Sequence, residues 1–119
     1  MLLTNTPTAI VMLSLLTLPV AAEAVQCTFI TECFEAEACA DSAFTVAIEE
    51  KDGATLLVSD AESFPVSVGG SDAVRIYVGV TDSAFNLMSL ATDGTARYST
   101  HLYDGPLMVN YLGNCEGAD

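Results

Sequence analysis

Beyond residue 25 the chain alternates apolar and polar positions in short runs. The runs end at clusters of turn residues: Asp52-Gly53, Gly69-Gly70-Ser71-Asp72, Thr81-Asp82-Ser83, Asp93-Gly94 and Asp104-Gly105-Pro106. Neighbouring side chains on a strand point to opposite faces, so a period of two punctuated by Gly, Asp and Ser is the pattern of an antiparallel meander. It predicts strands near 25–31, 43–50, 54–59, 63–68, 73–80, 84–91, 95–103 and 107–114. In 73–80 the apolar set is Val74, Ile76, Val78 and Val80, which leaves Arg75 and Tyr77 on the outer face. In 95–103, Ala96, Tyr98, Thr100 and Leu102 form one face, and Arg97, Ser99, His101 and Tyr103 the other. Segment 63–68 buries Phe64, Val66 and Val68; its Pro65 removes a ladder donor and predicts an edge or a bulge there. Segment 84–91 is read as a strand, although Ala84, Leu87, Met88 and Ala91 also fit a helix stripe behind an Asp82 cap. The expectation is an all-β domain, an antiparallel meander of about seven or eight short strands in barrel or sandwich form.

The first 24 residues read differently. Ile10 to Leu18 is an apolar run of nine residues followed by Pro19 and small residues. A single-pass anchor needs about 20 apolar residues, so the segment reads as a secretory signal peptide, although no Lys or Arg precedes it. Ala22-Glu23-Ala24 predicts cleavage after Ala24, with Ala22 as the alternative, leaving one domain over 25–119 that lacks a membrane span.

Secretion decides how the cysteines read. Cys27, Cys33, Cys39 and Cys115 all fall in the mature chain, where an oxidising compartment makes them two disulfides. Three connectivities are open. Facing favours one of them: Cys27 shares a face with Val25 and Phe29, and Cys115 with Leu107, Val109 and Tyr111. A Cys27–Cys115 bridge then ties first strand to last, and Cys33–Cys39 pinches the acidic loop between them. The C-x5-C-x5-C spacing and the single His101 do not match a zinc site, and no EF-hand loop is present, so neither metal nor cofactor is expected.

The formal net charge is −13, and about −12 once Glu23 leaves with the leader. Such a surface repels nucleic acid and anionic lipid; it suits a small ligand or a basic protein. Ser99 and His101 share a strand face, but positions two apart on a strand are roughly 7 Å apart, too far for a dependable nucleophile–base hydrogen bond. The candidate surface is instead a binding face of Arg75, Tyr77, Arg97, His101 and Tyr103, because Arg and Tyr most often anchor interfaces.

The motifs C-T-F-x-x-E-C-x-E-x-E-x-C at 27–39 and S-T-H-x-x-D-G-P-x-x-V-x-Y-L-G-x-C at 99–115 resemble a group of small secreted proteins of marine alphaproteobacteria. That resemblance implies a periplasmic home and brings no activity with it. In size, leader, disulfides and meander the chain is also similar to the C-type lysozyme inhibitors, small eight-stranded barrels that act through S-G-x-x-Y and K-G-x-x-A motifs. Here Asp93-Gly94-Thr95-Ala96-Arg97-Tyr98 departs from the first motif, and no Lys-Gly occurs. The functional expectation is a periplasmic or secreted binding module and not an enzyme, with inhibition of a basic cell-wall hydrolase as the alternative.

Overall fold

The structure, a computed structural model, describes residues 7–14 and 24–117. The expected leader, including its cleavage site at Ala22 or Ala24, falls largely outside the described residues. Where it is described, Ile10 to Leu13 are at least 77% exposed and form no regular element. No helix among the described residues is long and apolar enough to cross a membrane.

Eight strands follow one another: β1 (Val25–Phe34), β2 (Ala40–Lys51), β3 (Ala54–Val58), β4 (Ser63–Gly70), β5 (Val74–Val80), β6 (Ala84–Ala91), β7 (Thr95–Leu102) and β8 (Leu107–Glu116). Each pairs antiparallel with the next and β8 returns to β1, closing a barrel. All eight expected segments are strands, 84–91 among them, and the form is a barrel rather than a sandwich. Eight strands enclose an interior just wide enough to be filled by side chains or to hold one small ligand. Phe29, Val46, Leu57, Met88 and Ala96 fill it here, each no more than 2% exposed.

Closure depends on the β1–β8 seam. Cys27 and Cys115 are register partners, their Cα atoms 3.9 Å apart, and their disulfide lies in the lumen. Two register steps on, Phe29 faces Gly113; a Cβ on Gly113 would come within 2.7 Å of the Phe29 Cα, so only glycine permits this approach. A bulge between Phe29 and Thr31 follows at once and turns Ile30 outward, 61% exposed. The second disulfide, Cys33–Cys39, closes the β1–β2 turn as expected.

Three expectations need correction, the first being Val68 of β4, which is 47% exposed and not buried with Phe64. On β5 the facing is inverted: Tyr77 is 4% exposed inside the barrel, while Val80 is 65% exposed outside it. Tyr77 pairs with the wholly buried Met88, and Gly79 on the same inner face leaves room for the ring of Phe64, which a Cβ would meet at 2.6 Å. The valines are there as strand formers on the outer pleat, beside Phe85 and Leu87 of β6. Pro65, expected at an edge or a bulge, pairs regularly with Leu56 of β3 in a barrel that has no free edge. The β4–β5 ladder, however, starts only at Ser67 with Val78, so Pro65 lies where that side of the strand is locally unpaired and its missing N–H is tolerated.

The connections divide between two ends. The β1–β2, β3–β4, β5–β6 and β7–β8 turns surround one mouth, and the start of β1 and the end of β8 share the other end with the remaining turns.

Candidate functional site at the barrel mouth

Inside the first mouth lies a cavity of about 180 Å³, the liquid volume of roughly six waters. Its walls come from strands far apart in sequence: Phe44 of β2, Phe64 of β4, Asn86 of β6, Tyr98 and Thr100 of β7, and Tyr111 of β8. The alternation of each strand presents these side chains inward. Beneath them Phe29, fully buried, packs against Phe44, Tyr98 and Tyr111 at centroid separations of 5.9 to 6.2 Å. Phe44 and Tyr111 approach to 4.7 Å, so the aromatic wall is continuous and supported from below.

One polar network is built into this wall. The Tyr98 hydroxyl donates to Asn86 Oδ1 at 2.8 Å, and Asn86 Nδ2 donates to the Gly79 carbonyl at 3.4 Å. Asn86 is only 2% exposed, and such a buried amide is tolerated because it is partnered on both sides. Burial raises the Tyr98 phenol well above its ordinary value, and the nearby Glu62 carboxylate adds to this. Burial also raises Tyr111, with Glu32 contributing. Glu32 is the register partner of Tyr111 on β1 and so faces the lumen side.

The turns at this end are held in place. Ser59 and Glu62 bracket the β3–β4 turn, with the Ser59 N–H donating to the Glu62 carbonyl at 2.8 Å and the Glu62 N–H donating to Ser59 Oγ at 3.3 Å. Glu35 clamps the β1–β2 turn to β8: its N–H donates to the Met108 carbonyl, and the Met108 N–H donates to Glu35 Oε1, both at 3.0 Å. The rim is also acidic throughout. Glu35 and Glu37, Asp60 and Glu62, Asp82, and Asp104 lie one or two to each turn, with Glu32 and Asp41 on the adjoining strand ends. Lys51, Arg75 and Arg97 all lie toward the opposite end: Lys51 closes β2, and the arginines are the second and third residues of β5 and β7.

The surface expected from the sequence is divided by this fold. Tyr77 is inside, and Arg75 shares its facing, as the register partner of Leu90. Arg97 points outward between Ser89 and Leu112, and His101 outward between Phe85 and Met108. Tyr103 lies in the β7–β8 turn, 55% exposed, its N–H donating to the Ser83 carbonyl at 3.1 Å. Only Arg97 and His101 share the outer face, and they do not meet Arg75 or Tyr77. Ser99 donates to Asn110 Oδ1 at 2.6 Å. With His101, Phe85 and Leu87 it lines an open groove of about 440 Å³ on the outer wall. No group of three or more His, Cys, Asp or Glu side chains among the described residues is placed to share a metal ion.

Fold and site together define a small closed meander barrel, braced by two disulfides, with an aromatic cup opening through an acidic rim. No protein-family model matches the chain, and neither a curated protein nor a solved structure is detectably similar to it.

The raised phenols carry a pH consequence. The folded barrel keeps protons on Tyr98 and Tyr111 that the unfolded chain releases near pH 10, so their contribution to stability is complete below that pH and lost above it. An absorbance titration of the phenolates, followed together with circular dichroism, is expected to show these two groups ionising late and in step with unfolding. Their ionisation at ordinary pH in a folded protein would contradict the buried setting of the cup.

Proposed function

We propose that this chain is a binding module of the periplasm or the extracellular space that holds a small ligand in the barrel mouth, and that it is not a catalyst. The observation that carries this reading is the cavity itself. In a barrel whose core side chains are buried, a cavity lies where aromatic walls, a fixed Tyr98–Asn86 pair and anchored turns converge, which is how small-ligand sites are built. Two disulfides fit an oxidising compartment.

Ligand-observed NMR with a mixture of small fragments tests the assignment. Tyr111→Leu, which opens the aromatic wall, is expected to lose fragment binding, whereas Leu87→Ser in the outer groove is expected to retain it. The reverse pattern would move the site to the outside of the barrel.

The acidic rim favours a second reading, inhibition of a basic cell-wall hydrolase, because charge of one sign at one end steers a partner of the other sign. It requires slowed lysis of peptidoglycan at near-stoichiometric protein and low salt. Undiminished lysis under those conditions ends it.

A further inference from the structure

We propose that the ligand of the mouth cavity is a small organic cation, an ammonium group carrying carbon substituents, seated against the faces of Phe44, Tyr98 and Tyr111. The proposal rests on the reading of the mouth as the binding site and names the class of ligand. Three observations on the cup itself converge on it.

The first is the lining. Among the described residues Glu62 is the one carboxylate that borders the cavity, and no Lys, Arg or His does. An anion entering here would meet Glu62, and the Tyr98 hydroxyl is already engaged with Asn86. The second is the set of rings. Aromatic faces carry negative quadrupole density, and ammonium ions within about 6 Å of ring centroids are attracted to them, most strongly where water is excluded. Phe44 and Tyr111 together with Tyr98 form such a wall, with Phe29 holding it from behind. The third is the distribution of charge. The mouth turns carry acids and no Lys or Arg, while Lys51, Arg75 and Arg97 offset part of the acidic charge of the other end, so the mouth is the more negative end of the barrel and the field draws cations to it.

The ligand is organic rather than a bare metal ion on this geometry. No set of three carboxylate, imidazole or thiolate groups among the described residues converges there, whereas the apolar walls of Phe44, Phe64 and Leu102 suit carbon substituents. The cavity volume of about 180 Å³ accommodates a head group the size of trimethylammonium.

Isothermal titration of the purified protein at low salt with choline, and with its uncharged carbon isostere 3,3-dimethyl-1-butanol, tests the proposal. Choline is expected to bind at least about tenfold more tightly than the isostere. Tyr111→Leu is expected to weaken choline by about tenfold and Glu62→Gln severalfold, with circular dichroism confirming that each variant is folded. Equal affinity for the two compounds would overturn the cationic assignment while leaving the cup as a site for neutral molecules. Choline binding unchanged in both variants would also overturn it, as attraction to the acidic surface at large. Absence of any binding by either compound at concentrations on the order of ten millimolar would remove the cationic assignment, and failure of the fragment mixture as well would remove the cup as a site.

Discussion

Replacing Cys27 and Cys115 together with alanine is expected to lower the unfolding free energy by about 4 kcal/mol, against about 2 kcal/mol for the pair Cys33 and Cys39. The difference follows from the loops the bridges close. The first joins residues 88 apart and ties the first strand to the last, and the second joins residues 6 apart within one turn. A longer loop removes more freedom from the unfolded chain, with a logarithmic dependence on length. The Cys27 and Cys115 side chains are also 0% and 7% exposed inside the barrel, so alanine there forfeits packing as well. Urea unfolding followed by circular dichroism measures both variants. Equal losses would show that the β1–β8 seam does not depend on its bridge.

The second large effect is expected at the same seam. Gly113→Val should cost about 3 kcal/mol or more, because its Cβ would lie 2.7 Å from the Phe29 Cα and 2.8 Å from the Thr28 carbonyl carbon. Backbone cannot rotate away as a side-chain tip can, so β8 must retreat from β1 and the barrel must open or shift register. Gly69→Val on β4 is the control, since nothing lies within 4 Å of its Cβ position. It is expected to be near neutral, or slightly stabilising through its strand preference. A similar loss at both glycines would mean that close approach at Gly113 is not what closes the barrel.

The strands of this fold were legible because the turn chemistry is explicit. Asp-Gly pairs and Ser/Thr/Asp clusters separate β2 from β3 and β5 through β8 from one another, and the bounds fall within a few residues of expectation. The bridge at Cys27 and Cys115 was legible for the same reason, since parity alone placed both cysteines on core faces of terminal strands. Facing on β5 was not. Four alternating aliphatic residues, Val74 to Val80, outweighed Tyr77 and Gly79 in the pattern, yet the lumen at that level takes a tyrosine ring and needs a glycine to admit Phe64. Periodicity reports which residues alternate, and only the volumes of neighbouring strands decide which set goes inside.

The cup lay further from view. Tyr98 and Tyr111 were assignable to inner faces, but Phe44, Asn86 and Glu62 join them only through the register of a closed barrel. A void is a difference between the space that eight strands enclose and the side chains that enter it, and no single strand carries that information. Asn86 had one local signal, a lone amide on the face that also holds Ala84, Met88 and Leu90, a position that demands a buried partner. The charge asymmetry was present in the sequence too, but it became an acidic rim only when alternate turns were gathered at one end.

An isotope-filtered NOE experiment on the protein with its tightest bound fragment tests the central claim, that the barrel mouth is the functional site. Contacts from the fragment to the ring protons of Phe44, Tyr98 and Tyr111 are predicted. Contacts to Phe85, Leu87 and His101, with none to the three rings, would contradict the claim and place the function of this barrel on its outer wall.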